Sequence, residues 1–394
     1  LFVISSLEAG GAQRALSNVV TNLPDDLEID ILLSHTEKVT YPYKGNIIGL
    51  SIKEPDNRKN LLYQARVLCR RFFALRKLKK HKNYTACISF LTSANIVNVL
   101  TGNKYCKTIV SIRNDSRHSG FSGIERFFNR IECLLNKRAD FAVSVSESIR
   151  EYMIRDLGFS PHKVKTIYNG YSKENYITDE STTIERTAGN NFTFITTGRL
   201  SKQKGQWHLI RAFSRLVEKH PDCRLCILGE GPLRTYLEEL VKQLNLERHV
   251  SLPGFVENTF DYYRQSSAFV LTSRWEGFPN VMIEAMMCGL PVISCDCYTG
   301  PREILAPDTD NSYQVKCEIE CARYGIITPP MSGAFLPAHS ALEKEEMLLF
   351  EAMQKIITKD NLREKYCNMS IMRSEHFLID NCVKQWLELL KSSI

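Results

Sequence analysis

Long apolar runs are missing from this sequence. No stretch of eighteen consecutive apolar residues occurs in its 394 positions, so no helix of it is expected to cross a membrane. The chain opens directly on LFVIS, without an initiator methionine or a basic leader segment. We therefore expect no signal peptide, and a few native residues ahead of Leu1. The thirteen cysteines lack a paired framework. Cys223 and Cys226 form one C-x2-C with no second pair at zinc-finger spacing, while Cys295/Cys297 and Cys317/Cys321 read as buried or loop thiols. A reducing cytosol fits that usage. The dinucleotide fingerprint G-x-G-x-x-G is absent. The only D-x-D, Asp308–Thr309–Asp310, lies in a polar loop past Leu305, so it reads as a turn and no metal site is expected.

Acidic residues are missing from one long interval. Between Asp56 and Asp115 there is no Asp or Glu, yet thirteen Lys or Arg occur there, ten of them from Arg58 to Lys82. The net charge is only +7, so the basic block is local and calls for an anionic surface, either nucleic acid or anionic lipid. Within it, residues 61–80 repeat Leu61, Ala65, Leu68, Phe72 and Leu75 near every 3.5 positions, surrounded by Arg66, Arg70, Arg71, Arg76, Lys77, Lys79 and Lys80. Two readings fit: a packed surface helix with a solvated charged face, or a basic amphipathic helix lying on an anionic membrane.

What is present is a steady alternation of short apolar strands and helical patterns, with 43% apolar and 24% charged residues, which implies an α/β protein of two domains. The first strand, 2–5, enters the glycine turn Gly10–Gly11 and a helix expected over 13–23. Glycine there lets a ligand approach the backbone at a helix N-terminus. A strand at 108–112 runs into Arg113 and Asn114. Farther on, a strand at 192–197 is followed by GRLSKQKG, residues 198–205, in which Arg199 and Lys204 precede a helix and suit a diphosphate. The stretch 273–305 organises the rest. Glu276 sits in a loop after an apolar strand, and Glu284 lies eight residues on, about two turns into the next helix. In an open parallel sheet, ligands bind at the carboxyl ends of strands, and two carboxylates there can grip vicinal hydroxyl groups.

The E-x7-E of Glu276 and Glu284, embedded in EGFPNVMIEAM and CGLPVIS, resembles the paired-glutamate motif of family 4 retaining glycosyltransferases. GGAQR at 10–14, IYNG at 167–170 and GRLSKQKG at 198–205 are similar to further motifs of that family and follow its order. The resemblance implies the GT-B fold: two doubly wound Rossmann-like domains facing across a cleft. It places an acceptor domain at 1–171, joined by a last helix at 378–394, a linker at 172–191 and a nucleotide-sugar domain at 192–377. It implies catalytic roles for Glu276, Arg199 and Lys204. Donor or substrate contacts fall to Gly10, Gly11, Arg113, Asn114, Val256, Gly277, Phe278, Asn280 and Glu284. The reaction implied is transfer from a nucleotide-sugar, a UDP-sugar, to a saccharide acceptor that is lipid-linked, with retention and without a metal or other cofactor. The enzyme would work in the cytoplasm, on the inner face of the membrane, through the basic helix 61–82, with no nucleic acid as partner. Two departures from the family pattern stand out. Arg113 and Asn114 replace the family's usual histidine, and Pro279 replaces a glycine, removing an amide donor. Two other classes remain open at this level: a nucleic-acid-binding protein using 58–82, which lacks interleaved aromatic pairs, and a dinucleotide oxidoreductase, which lacks its glycine fingerprint.

Overall fold

The structure, a computed structural model, describes residues 1–8, 10–37, 39–50, 52, 61–113, 131–173 and 192–392. Asn114 and all but the first two residues of the expected linker 172–191 lie outside the described residues. The chain divides into two compact units, Leu1–Ser172 with Phe377–Ile394, and Lys173–His376.

The first unit is built on a seven-stranded parallel sheet. Across it run Asn46–Gly49, Asp30–Leu33, Phe2–Ile4, Ala86–Phe90, Lys107–Ile112, Phe141–Ser144 and Val164–Thr166. Segments such as FVI, ACISF and FAVS are buried along their whole length, as strands covered by helices on both faces must be. The edge strand Asn46–Gly49 is half-exposed and lacks an apolar run, so no sequence pattern announces it. In order of appearance the strands lie 3-2-1-4-5-6-7. The order reverses between Phe2–Ile4 and Ala86–Phe90, and a ligand crevice opens at such a reversal. The helix Gly11–Asn22 starts there, two residues earlier than the sequence pattern implies.

The last helix, Ile379–Lys391, belongs to this first unit. Its Ile379, Cys382, Val383, Trp386 and Leu389 share one core with Phe2, Ile4, Leu16 and Val20. The Trp386 ring lies 6.1 Å from that of Phe90. Lys107 Nζ donates to the carbonyls of Leu390 at 2.7 Å and Ser392, a cation at the electronegative end of the helix.

The basic helix forms over Leu61–His81, and its apolar stripe faces the sheet: Leu75 is fully buried, with Leu68, Phe72 and Leu78 packed beside it. Two of its cations do not belong to the solvated face. Arg71 is buried, its Nε donating to Ser34 Oγ at 2.9 Å, Nη1 to Ser93 Oγ at 2.9 Å and Nη2 to Ser5 Oγ at 3.2 Å. Buried Lys79 donates to the carbonyls of Asn98 and Gly102 and to Thr108 Oγ1. Arg66, Arg70, Arg76, Lys77 and Lys80 remain outside, around Phe73, which is 69% exposed.

The second unit repeats the design. Val250–Gly254, Arg224–Leu228, Thr193–Thr197, Ala268–Leu271, Val292–Cys295 and Ile326–Thr328 run parallel, again in the order 3-2-1-4-5-6, with Glu320–Cys321 antiparallel at the edge. Its core gathers Phe194, Trp207, Phe213, Leu225, Val270 and Met353. A buried polar knot ties the helix Gln206–Lys219 to Lys344–Thr358. Arg211 Nε donates to both oxygens of Glu346, at 3.0 and 3.1 Å, and His208 Nδ1 lies 2.8 Å from Glu346 Oε1. The N–H of Gly333 donates to His208 Nε2, so Nδ1 carries the ring proton. His208, Glu343 and Glu346 are close enough to resemble a metal cluster, but these bonds already occupy both ring nitrogens.

Candidate active site

In the second unit the sheet reverses between Thr193–Thr197 and Ala268–Leu271. Two loops leave those adjacent strands, 198–205 and 272–279, and backbone and side-chain bonds hold them together. The N–H of Arg274 donates to the Gln203 carbonyl at 2.7 Å, Gln203 Nε2 to the Trp275 carbonyl at 2.9 Å, and Thr272 Oγ1 to the Lys204 carbonyl at 3.1 Å. Gly205 makes the approach possible. Its φ is +62°, and a Cβ there would stand 2.5 Å from the Thr272 carbonyl oxygen.

The result is a direct contact between two residues singled out in the sequence: Lys204 Nζ donates to Glu276 Oε1 at 2.5 Å. Glu276 is 7% exposed, and its backbone is pinned from below. Its N–H donates to the Tyr298 carbonyl, and Thr299 donates to its carbonyl from both N–H and Oγ1. Thr299 Oγ1 also reaches the Gly277 carbonyl at 3.0 Å. Arg199 follows Gly198 at the end of the neighbouring strand; its side chain is exposed and takes part in no ion pair among the described residues. Around these loops, Thr197 Oγ1, Gln206 Oε1 and Ser273 Oγ are buried without a hydrogen-bond partner among the described residues. Buried polar atoms are normally paired, and these three lie together at one set of strand ends.

Glu284 is 2% exposed in the helix Asn280–Met287. The helix begins only at Asn280, so Glu284 lies one turn inside it, not two. Gly277 and Phe278 are buried in the preceding loop, and Asn280 is half-buried at the first helical position. Gly300 approaches Pro279 so closely that a Cβ would meet its Cδ at 2.7 Å. Val256, half-buried, follows the strand Val250–Gly254 at the same end of the sheet. Arg302 faces inward: its Nη2 donates to Asp296 at 2.6 Å and Glu320 at 2.7 Å, so it braces the loop after Val292–Cys295.

The remaining candidates belong to the first unit. Gly10 and Gly11 open the helix Gly11–Asn22, and the Gly10 N–H donates to Tyr41 Oη at 3.4 Å. Arg113 ends the strand Lys107–Ile112, where it donates from Nη1 to Ser111 Oγ at 3.3 Å and from Nη2 to Asn169 Oδ1. Its neighbour Asn114 is not among the described residues. The residues that sequence reasoning passed over are the braces, Gln203, Gln206, Thr272 and Thr299. Gln203 and Gln206 lie in or beside the GRLSKQKG motif; Thr272 and Thr299 carry no signal beyond their nearness to Glu276 in the fold.

Comparison with known proteins agrees with this architecture. The family model described as glycosyl transferases group 1 matches residues 178–320, and that described as Glycosyltransferase Family 4 matches residues 9–175. An uncharacterised glycosyltransferase of Methanocaldococcus jannaschii is 33% identical over 357 residues, 86% of each chain. The N-acetylgalactosamine-N,N'-diacetylbacillosaminyl-diphospho-undecaprenol 4-alpha-N-acetylgalactosaminyltransferase of Campylobacter jejuni is 27% identical over 95% of this chain and 94% of its own. Among solved structures, HepE of Anabaena in complex with UDP superposes with a TM-score of 0.74 at 20% identity, covering 100% of this chain and 99% of that one. Sucrose-phosphate synthase of Thermosynechococcus elongatus reaches a TM-score of 0.75 at 16% identity, covering 98% and 97%. These likenesses give the fold as GT-B.

Proposed function

The chain belongs to family 4 of the glycosyltransferases, and from that premise we propose that it is a retaining enzyme moving a sugar from a UDP-sugar to a lipid-linked saccharide. The observation that carries this reading is the Lys204–Glu276 contact at the reversal of the second sheet, with exposed Arg199 at the end of the adjoining strand Thr193–Thr197. An ammonium has three donors, so Lys204 can hold Glu276 and still give a hydrogen bond to a phosphate oxygen. Glu276 then takes hydroxyl groups of the donor sugar, helped by the amides of Gly277 and Phe278. Glu284 takes the ribose hydroxyls, Val256 borders the base, and Asn280 stands in for the amide lost at Pro279. When the bond from the anomeric carbon to the diphosphate oxygen breaks, negative charge grows on that oxygen. Fixed cations placed there lower the barrier, and loss of one such donor typically costs ~10²–10³ in rate. The acceptor oxygen bonds to the anomeric carbon on the face the diphosphate leaves, and its proton passes to a diphosphate oxygen. Arg199, Lys204 and the helix N-terminus at Gln206 supply the positive charge, so no metal enters the proposal.

The relative from Campylobacter jejuni bears a diphospho-undecaprenol substrate in its name, which supports a lipid-linked acceptor here. The exposed stripe Arg66, Arg70, Arg76, Lys77 and Lys80 around Phe73 supports docking on the anionic inner face of a membrane. The test is a panel of nucleotide-sugars with a lipid-diphosphate saccharide, following nucleotide release and the anomeric linkage by NMR, with and without EDTA. Transfer with retention, unaffected by EDTA, is the expected outcome. Failure of every UDP-sugar both to react and to stabilise the fold would sink the proposal.

A further inference from the structure

We infer that Arg113 is a receptor for an oxyanion, a carboxylate or a phosphate, carried by the acceptor; this deepens the proposed transfer reaction and rests on it. The first observation is a cation without a counter-charge among the described residues. The Arg113 guanidinium lies over the Phe90 ring, 5.3 Å from its centroid, and its two hydrogen bonds go to the neutral oxygens of Ser111 and Asn169. Among the described residues no carboxylate pairs with it. Among the described residues the titratable groups close enough to act on it are Cys382 and Tyr171, a thiol and a phenol, and burial pushes that thiol up to about 12. Its own strand has no acid to offer, since none occurs between Asp56 and Asp115, and Asp115 itself lies outside the described residues.

Arg71 shows what a structural arginine looks like in this same unit. It is sealed from solvent, and each of its three nitrogens donates to a serine hydroxyl, from Ser5, Ser34 and Ser93. Arg113 is different. It is only half-buried, and among the described residues two of its five N–H donors have partners and three do not. Burial holds its pKa down to about 10, so an anion arriving there meets a guanidinium already stripped of much of its water, where a charge-assisted pair is stronger than at an open surface.

The second observation concerns place. Arg113 ends the strand next to Ala86–Phe90 on the carboxyl side of the sheet, one strand from the reversal of order. At the end of Ala86–Phe90, Leu91 holds φ +73° and ψ 155°, a combination that side chains other than glycine rarely adopt and that persists where surrounding structure enforces it, often at ligand sites. A planar guanidinium with free donors, fixed by Asn169 and by an aromatic face, has the geometry to take an oxyanion through two parallel N–H bonds. Two sources of that chemistry exist on an acceptor: the carboxylate of an acidic sugar, and the diphosphate that joins a saccharide to its lipid.

Titration calorimetry on the full chain, with UDP at saturation to fill the donor diphosphate site, separates them. One arm compares methyl α-D-glucuronide with methyl α-D-glucoside; the other compares isopentenyl diphosphate with isopentenol. At least one anionic probe should bind about tenfold or more tightly than its neutral twin. R113Q should erase that preference, and R113K should keep part of it, because the charge stays while the fork is lost. Preference confined to the glucuronide names an acidic sugar, and preference confined to the diphosphate names the lipid linkage. Equal binding of both pairs of twins overturns the inference, as does a preference that survives R113Q. Should R113Q not fold, an unchanged preference in R113K overturns it equally. Absence of UDP binding would count against the proposed function, while the glucuronide arm would still decide Arg113.

Discussion

Lys204 and Glu276 are 72 residues apart in sequence and 2.5 Å apart in space. The pair couples the loop assigned to the diphosphate to the loop assigned to the donor sugar, so neither can shift without the other. K204A should therefore lower kcat by ~10²–10³ while the protein stays folded by circular dichroism. Turnover equal to wild type would remove Lys204 from the reaction.

Glu284 should report on the nucleotide and not on the acceptor. In E284A, UDP affinity measured by calorimetry should fall by about tenfold, the worth of a charge-assisted hydrogen bond to a hydroxyl. Acceptor affinity should be unaffected. Undiminished UDP binding would place the ribose elsewhere.

Gly205 should be intolerant of any side chain. Alanine there must hold φ +62° and push against the Thr272 carbonyl at 2.5 Å, which costs more than about 1 kcal/mol. G205A should melt at a lower temperature and also lose activity, because the same strain separates Lys204 from Glu276. A melting temperature equal to wild type would show that the two loops can part at no cost.

The Glu346 knot should make stability fall in acid. Burial raises the Glu346 carboxyl, but hydrogen bonds from His208, Arg211 and the Glu343 N–H outweigh it and hold the group below its usual 4.5. A depressed carboxyl gives stability that is complete above its unfolded value and is lost as pH falls through its folded one. Resistance to urea should therefore weaken below about pH 4.5, and E346Q should flatten that part of the profile. An unchanged slope in E346Q would assign acid sensitivity to other carboxylates.

On vesicles containing anionic lipid, serine at Arg66, Arg70, Arg76, Lys77 or Lys80 should each weaken binding by on the order of 1 kcal/mol, read by sedimentation. The change should vanish at high salt. Alteration of Lys79 should instead lower stability, because its ammonium is buried against two carbonyls and Thr108. Equal binding of the serine variants would leave the stripe as a solvated face.

The second unit was more legible than the first, for a physical reason. Arg199, Lys204, Glu276 and Glu284 lie in continuous loops and helix starts that directly follow apolar strands, so chain order alone predicts a shared end of the sheet. Arg71 and Lys79 were not legible as interior residues. Whether a cation on a helix faces water depends on what lies opposite, and Ser5, Ser34 and Ser93 come from three distant segments. The edge strands Asn46–Gly49 and Glu320–Cys321 escaped because half-exposed pairing needs no apolar run. Glu284 was placed a turn too deep because its eight-residue distance from Glu276 spans a loop, and only the last four steps, from Asn280, are helical.

The helix Ile379–Lys391 sets an order of events during synthesis. Trp386 and its neighbours fill the layer beneath Phe90, yet the ribosome adds them only after every residue of the other unit has been made. The half of the molecule that emerges first is thus the half that must wait, with an apolar face open, and a clone cut after residue 172 would keep it waiting indefinitely.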